Sequence, residues 1–298
     1  PLQIYSMAMC ALLRSTERVK IPMYGALFSV ATNVVFNWLL IYGKFGLPAL
    51  GIQGAAVATV MAGLVNVLVI WALSRRQKHA YLFSVRKHFR WTREFLREYF
   101  RKCFFILCNE LMIGVGNMVI NIVLGRQSEQ AIAATAVFRT LEGFIIGFFA
   151  GFSNASSVLV GKEIGAGNLD EAYERAKRLI LMCASAILLA CLFLIAVHKP
   201  LLHVMSLQGE SYRIGVGMLL IYCVAAVIRM SNWTHNDTFR ASGDATYGTV
   251  LEICFMYAMV LPAVCLTGLK LHAPFLVIFA CCYIDEPVRL VLMLRHLY

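Results

Sequence analysis

Long apolar segments follow one another along the chain and are separated by shorter polar stretches. Each segment has about 20 residues, the length that a helix needs to cross a hydrocarbon layer about 30 Å thick. Because a backbone in lipid must satisfy its own hydrogen bonds, the segments are predicted to be helices. There are eight of them, at residues 22–42, 52–73, 103–124, 132–158, 179–197, 214–231, 246–267 and 271–294. Residues 1–13 are interpreted as the end of a ninth helix. The pattern predicts an all-α polytopic membrane protein.

The composition agrees with a membrane protein. Apolar residues make up 60% of the 298 residues and charged residues only 14%, outside the usual range of soluble domains. The ten cysteines follow no metal-ligand spacing, and nine of them lie in apolar segments, where a thiol packs as a small apolar group. We therefore predict neither disulfides nor a metal site, and no cofactor. The seven histidines lie in loops or near segment ends, so an enzyme is not predicted.

A basic linker, residues 74–102, separates the second apolar segment from the third. It holds ten of the 27 Lys and Arg residues, and such a charge block beside membrane spans usually lies in the cytoplasm. That orientation places 19 cations in inside loops and 5 outside. The linker and the C-terminus are therefore predicted to be cytoplasmic, and the net charge of +11 needs no nucleic-acid partner. Trp91, Phe95 and Tyr99 are spaced four apart, which predicts a helix lying in the headgroup region.

The third segment carries a polar stripe. Glu110, Gly114, Asn117 and Asn121 have the spacing of one helix face. A carboxylate within a bilayer must face a cavity or a partner, or hold a proton. Glu110 is therefore a candidate for ion or substrate binding. The alternative is that Arg139 on the next segment neutralises it.

Further polar residues lie within the predicted spans. Asn33 and Asn37 are four apart, and either bond a neighbouring helix or line a solvated cavity. Glu252 lies about a turn and a half into its span. In the last span Asp285 and Arg289 are spaced to pair, which would leave Glu286 as the freer acid.

Three local patterns receive structural interpretations. Arg139 and Glu142 are spaced as an i,i+3 pair that neutralises itself. The small-residue ridge of Gly143, Gly147 and Gly151 predicts close helix packing. Arg229 is expected to extend its guanidinium toward the cytoplasmic interface, and the glycine-rich stretch at 165–168 is expected to end a helix.

The chain also contains an internal repeat. Arg14 and Arg240 occupy matching motifs 226 residues apart, and Pro48 and Pro274 are separated by the same offset. Such repeats are typical of transporters that alternate between two conformations. If the two halves are equal in size, three spans and most of a fourth are expected before residue 1.

Four stretches resemble the multidrug and toxic compound extrusion (MATE) family, in the family's order and spacing. They are LRSTERVKIPM (13–23), NVVFNWLLIYGKFGLPALGIQGAAVAT (33–59), SSVLVGKEIGAGNLDEAYERAK (156–177) and FRASGDATY (239–247). The resemblance implies twelve helices in two lobes of six, with both termini cytoplasmic. Residues 1–73 would then hold the end of helix 4 and helices 5 and 6 of the N-lobe. Residues 74–102 would be the inter-lobe linker and 103–298 the C-lobe.

The resemblance also carries over to individual residues. Glu110 falls where many bacterial members have an acid on the seventh helix that is used for ion coupling. Asn33 and Asn37 fall on the fifth-helix positions of the polar cluster in the family's N-lobe, where some members have Asp in place of Asn37. In a subgroup of the family, the position of Arg229 is an Asp that belongs to a Na⁺ site. This chain has an arginine there and lacks that Asp.

The functional expectation is secondary export of organic cations or drugs across a bacterial plasma membrane, with H⁺ or Na⁺ as the coupling ion. The candidate coupling and cavity residues are Glu110, Asn117, Asn121, Asn33, Asn37, Glu252 and Glu286. The alternative is a flippase for lipid-linked oligosaccharides or other anionic lipids. In that case Arg139 and Arg229 would face the cavity and bind phosphate.

Overall fold

The computed structural model describes residues 2–46, 49–77, 91–205 and 207–297. Throughout these ranges the secondary structure is helical, with no strand. The chain divides into two compact units, Pro1–Arg97 and Glu98–Tyr298. The prediction of an all-α polytopic fold is confirmed.

Between residues 2 and 77, the described part of the first unit forms three helices. They are α1 (Leu2–Ser15), α2 (Lys20–Tyr42) and α3 (Ile52–Arg76), with a short 3₁₀ turn at Lys44–Gly46. Gly43 ends α2 in the left-handed conformation, with φ of 62°, which glycine adopts without steric cost. Helices α2 and α3 form a tight antiparallel hairpin. A Cβ on Gly54 would lie 2.7 Å from the carbonyl oxygen of Leu40, so only glycine allows this approach.

The second unit is built on four long helices. They are α4 (Arg93–Gly125), α5 (Glu129–Gly165), α6 (Leu169–Val204) and α7 (Gly209–Ser242). Helix α7 packs against both α5 and α6. The buried rings of Phe138, Tyr222 and Phe279 meet edge to face in the core between them. Burial of such rings is a large apolar contribution to stability.

Two helices extend beyond the predicted spans. Helix α7 continues to Ser242 rather than ending at residue 231, so the polar stretch 232–240 is helical rather than a loop. Helix α4 begins at Arg93, within the predicted linker. Phe95 and Tyr99 therefore belong to the helix that contains the third span, not to a separate surface helix. Residues 78–90 of the linker lie outside the described residues.

The predicted helix stop after α5 is confirmed. Helix α5 ends at Gly165 and α6 begins at Leu169. Gly167 has a φ of +82°, a conformation that favours glycine. The carboxylate of Glu163 accepts a hydrogen bond from the Asn168 amide at 3.2 Å, which ties the turn to the helix end.

The seventh predicted span is helical but irregular. Helix α8 (Ala245–Phe255) continues through a π turn (Met256–Val260), α9 (Leu261–Cys265) and a second π turn (Leu266–Lys270). Pro262 in this segment lacks the N–H that an α-helix requires. The structure widens the helix beside the proline, where the Leu261 N–H bonds the Met256 carbonyl, five residues back.

The eighth predicted span is not one continuous helix. Within the described residues, seven helices are long and apolar enough to cross a membrane. Residues 271–294 instead contain α10 (Phe275–Cys281) and α11 (Glu286–Leu297). In the turn between them, hydrogen bonds join residues three apart, as in a 3₁₀ helix; for example, the Cys282 N–H donates to the Phe279 carbonyl. Pro287 cannot donate to residue 283, and it disfavours the α conformation of the residue before it.

The repeat offset of 226 residues relates elements of the two units. Applied to α2, it maps residues 20–42 onto 246–268, within the irregular helix Thr246–Lys270. Applied to α3, it reaches the region of α10 and α11. Arg14 and Arg240 both lie in the last turn of the preceding helix. These matches support the repeat, although Pro48 lies outside the described residues.

Candidate functional site

Two adjoining cavities lie within the second unit. The smaller, about 150 Å³, is lined mainly by side chains of α4, α7, α8 and the α10–α11 region. The larger, about 310 Å³, is lined by α4, α5, α7 and α8. Ile113, Trp233 and Glu252 line both cavities. These three side chains therefore form the boundary between them.

The smaller cavity is bordered by an ionic triad. Glu142 on α5 is 3% exposed and lies between two arginines. Its Oε2 is 2.8 Å from Nη1 of Arg139, and its Oε1 is 2.8 Å from Nη1 of Arg229. The predicted Arg139–Glu142 pair is confirmed. Two charge-assisted hydrogen bonds to one carboxylate lower the cost of burying that carboxylate.

The structure contradicts the expected position of Arg229. Instead of reaching toward an interface, the guanidinium lies inside the unit, bonded to Glu142. The rings of Trp233 and Tyr283 lie 5.9 and 5.5 Å from its central carbon, within the range of cation–π attraction. The same bond weakens the flippase alternative, because Arg139 and Arg229 already share a carboxylate and are less available to bind phosphate.

A second ionic cluster surrounds the turn before α11. Nη1 of Arg289 donates to Oδ2 of Asp285 at 3.1 Å, which confirms the predicted pair. Glu286 is not the freer acid. It is 6% exposed, accepts a 2.7 Å hydrogen bond from the Asn232 amide, and lies 3.9 Å from both Arg229 and Arg289.

Glu252 links the two cavities. Its carboxylate accepts a hydrogen bond of 3.3 Å from the Asn236 amide and lies 3.8 Å from Nη2 of Arg289. Both contacts are long for their type. Glu252 is therefore more weakly held than Glu142 or Glu286, although all three lie within the bundle.

The acids outnumber the arginines around the smaller cavity. Three arginines and four carboxylates form the two clusters, namely Arg139, Arg229, Arg289, Glu142, Glu252, Asp285 and Glu286. If all seven are ionised, one negative charge is in excess. Such an excess at membrane depth is costly unless a proton or a cation offsets it.

The larger cavity contains an acid that sequence reasoning missed. Asp237 on α7 accepts a short hydrogen bond from the Ser153 hydroxyl on α5 and lies 3.6 Å from Nη1 of Arg240. Arg229, Asn232, Asn236 and Arg240 follow one face of α7, and their spacing was a signal for a functional stripe. The early predicted end of the helix, at residue 231, concealed it.

The predicted stripe on α4 borders both cavities. Glu110 lines the larger cavity and Asn117 the smaller, while Asn121 accepts a hydrogen bond of 3.1 Å from Arg139. Gly114 leaves open space, because no atom lies within 4 Å of a Cβ placed there. Arg139 bonds Glu142 and Asn121, so it does not neutralise Glu110. Within the described ranges Glu110 has no ion pair.

The Asn33–Asn37 pair lies in the first unit, and the glycine ridge of α5 lies in the second. In the first unit the Asn37 amide donates to Asn33 Oδ1 at 2.9 Å, a bond along its own helix. In the second unit no atom described lies within 4 Å of a Cβ placed on Gly143, Gly147 or Gly151. The predicted close packing of this ridge is therefore wrong within the second unit.

Residues 103–264 match the MatE family model, and this range is more than half of the chain. The chain belongs to the MatE family. It is 22% identical over 295 residues to an uncharacterized transporter, YisQ, of Bacillus subtilis, covering 99% of this chain and 65% of YisQ. It is 24% identical over 270 residues to a probable multidrug resistance protein, YoeA, of the same organism, covering 88% of this chain and 57% of YoeA.

A solved MatE-type structure has the same fold. The MATE transporter ClbM in complex with Rb⁺ aligns with a TM-score of 0.77 at 18% identity, over 97% of this chain and 63% of ClbM. The chain thus spans somewhat less than two thirds of the length of these relatives. They are named as transporters or resistance proteins, in agreement with the prediction that the chain is not an enzyme. Together with the seven apolar helices, family membership establishes a multi-pass membrane protein.

Proposed function

We propose that the chain forms part of a transporter that exports small organic compounds by alternating access, coupled to inward movement of H⁺ or Na⁺. The observation that carries the proposal is the pair of adjoining cavities in the second unit, bordered by more carboxylates than arginines. The names of the relatives support export of drugs. The positive-inside bias supports a plasma-membrane location with the linker and C-terminus in the cytoplasm.

Glu110 and Glu252 are the proposed ion-binding acids. Among the carboxylates of the two cavities, these two have no hydrogen bond or ion pair shorter than 3.3 Å in the described residues. Glu110 has no ion pair in the described parts of the chain, and Glu252 has only the 3.8 Å contact with Arg289. A coupling group must exchange its ion, so it requires different ion affinities in the two transport states. Glu142, held by two arginines at 2.8 Å, is assigned a structural role.

The charge of the larger cavity favours an organic cation as substrate. Glu110, Asp237 and Glu252 face it, against the single guanidinium of Arg240. The Trp233 ring adds a face that attracts cations. A cationic substrate would offset the excess negative charge in the same way as a coupling cation. Competition between substrate and ion for these carboxylates would couple the two fluxes. Asn117, Asn121 and Glu286 are assigned to the lining of the smaller cavity and its supports.

Efflux of a cationic dye from cells that express the full-length protein tests the proposal. The wild-type protein is expected to lower dye accumulation, with a rate that follows the imposed H⁺ or Na⁺ gradient. Glu110→Gln is expected to abolish that gradient dependence. Glu210→Gln is the matched control, because Glu210 is an exposed acid in the first turn of α7 and outside both cavities. Unchanged, gradient-dependent efflux by Glu110→Gln would show that the coupling role is wrongly assigned.

A further inference from the structure

Arg289 is a buried guanidinium whose hydrogen bonds are incomplete. Its exposure is 5%, yet its Nε and Nη2 have no hydrogen-bond partner. Only Nη1 is bonded, to Asp285 at 3.1 Å. Buried donors without partners are costly, and more so when the group is charged. Nε and Nη2 are therefore available to any further acceptor within reach.

Glu252 is the partner that lies within reach. Its Oε1 is 3.8 Å from the unpartnered Nη2, and a shortening of about 1 Å would form a charge-assisted hydrogen bond of ordinary length. Both side chains line the smaller cavity of about 150 Å³, which leaves room for the guanidinium to move. The two acids on the other side, Asp285 and Glu286, lie 3.1 and 3.9 Å away.

The neighbouring arginines are already engaged. Arg229 is bonded to Glu142, and Arg240 is paired with Asp237. Other charged groups that face Glu252 or Arg289 belong to α4, α5, the turn before α11 and the first residue of α11: Glu110, Arg139, Asp285 and Glu286. Of the three guanidiniums that line the smaller cavity, Arg289 alone has two fully buried nitrogens without a hydrogen-bond partner in the described ranges.

We propose that Arg289 is an internal counter-cation that alternates between Glu252 and the Asp285–Glu286 pair, and thereby competes with the coupling ion for Glu252. The inference rests on the proposed function, because it gives a regulator to one of the proposed ion-binding acids. When Glu252 is empty, its charge draws the guanidinium across the cavity. When Glu252 takes a proton or Na⁺, the guanidinium returns to Asp285 and Glu286. Arg289 is thus a positioning residue.

The break between α10 and α11 gives this exchange a structural consequence. Arg289 lies in the first turn of α11, and Pro287 interrupts the regular helical hydrogen bonds just before it. Movement of the guanidinium toward α8 can therefore be accommodated by the start of α11 without displacing α10. Occupancy of Glu252 by an ion becomes a change in the contact between α8 and α11.

The test is a titration of the purified full-length protein that does not require transport. Trp233 borders both cavities beside Glu252, so its fluorescence is the reporter. The part of the signal that Trp233→Phe removes is assigned to this residue. It is measured against pH without Na⁺, and against Na⁺ at fixed pH. Glu252→Gln is expected to remove the Trp233 transition.

Arg289→Gln is expected to move the midpoint of that transition upward by about one to three pH units, the usual effect of losing an adjacent opposite charge. If Na⁺ is the ion, the concentration at half-saturation falls instead. Arg213→Gln, which removes an exposed arginine of α7 outside both cavities, is expected to leave both midpoints unchanged.

Arg289→Lys keeps the charge but not the fork of five donors, and it should give a smaller shift in the same direction. It also carries the test if Arg289→Gln fails to fold. The proposal is overturned if neither Arg289 variant shifts a midpoint, or if the transition persists in Glu252→Gln. A shift without dye efflux would contradict the proposed export but not the ion competition. Efflux without a shift would contradict only this inference.

Discussion

The two helical hairpins related by the 226-residue offset differ in what holds them together. In the first unit α2 and α3 pack through small residues, and the Ser29 hydroxyl donates to the Ala62 carbonyl at 2.9 Å. No charged side chain lies in the middle of either helix. In the second unit the corresponding hairpin is formed by the irregular helix Thr246–Lys270 and by α10 and α11. It contains four charged side chains, those of Glu252, Asp285, Glu286 and Arg289.

The corresponding positions show how the difference arises. At the offset of 226, Thr59, Met61 and Gly63 of α3 correspond to Asp285, Pro287 and Arg289. Helix α3 is continuous through these positions, whereas its counterpart is broken before residue 286. The proline removes a backbone donor, and the charged residues at the break pair with each other. The hairpin of the first unit thus serves helix packing, whereas the hairpin of the second unit holds the carboxylates between which Arg289 is proposed to alternate.

The largest expected effect comes from removing Glu142, the acid of the second unit that bonds both Arg139 and Arg229. Glu142→Ala leaves Arg139 and Arg229 without their shared partner, and loss of one member of a buried ion cluster costs about 3–5 kcal/mol. We expect a clear fall in the melting temperature of the purified full-length protein. Glu129→Ala, at an exposed acid in the first turn of the same helix, is the control. Equal melting temperatures for the two variants would show that the triad does not stabilise the unit.

Restoring the helix in the second hairpin tests the importance of its break. In Pro287→Ala the new N–H can donate to residue 283, which would extend regular helical hydrogen bonding across the break. The melting temperature is expected to rise while the dye efflux rate falls, because Arg289 loses its freedom to move. If the variant is more stable and exports dye at the wild-type rate, the break in the helix is not required for transport.

Crowding the first hairpin tests its dependence on close approach. A side chain on Gly54 meets the Leu40 backbone at 2.7 Å, which cannot move away cheaply. Gly54→Val is expected to destabilise the protein by about 1–3 kcal/mol, as is usual for overpacking. Gly63→Ala lies on the same helix with no atom within 4 Å of the new Cβ, and should be close to neutral. Thermal unfolding of both variants measures the difference.

The smallest expected effect concerns the hydroxyl between α2 and α3. Ser29→Ala removes an interhelical hydrogen bond, which in membrane proteins is worth about 0.6 kcal/mol on average. Thr32→Ala is the matched control, because that hydroxyl bonds the Phe28 carbonyl of its own helix. The two melting temperatures should differ only slightly, with Ser29→Ala lower. The reverse order would exclude a contribution from the interhelical bond.

Local pairs were predictable from the sequence, and distant ones were not. Arg139–Glu142 and Asp285–Arg289 follow from helix geometry alone. The bond between Glu142 and Arg229 joins residues 87 apart, and no spacing rule reaches that far. The same limitation concealed the burial of Glu286, because its partner Asn232 was placed in a loop. From the sequence alone, polar residues near the end of an apolar segment are assigned to the membrane surface. Only the structure shows when such a residue has a buried partner.

In the proposed mechanism, carboxylates of the second unit couple ion entry to export. This coupling is tested most directly in proteoliposomes that contain the full-length protein, by measuring dye movement driven by an imposed H⁺ or Na⁺ gradient. The Glu110→Gln/Glu252→Gln double variant is predicted to lose gradient-driven movement, while Glu210→Gln retains it. Gradient-driven movement at the wild-type rate in the double variant would contradict the account.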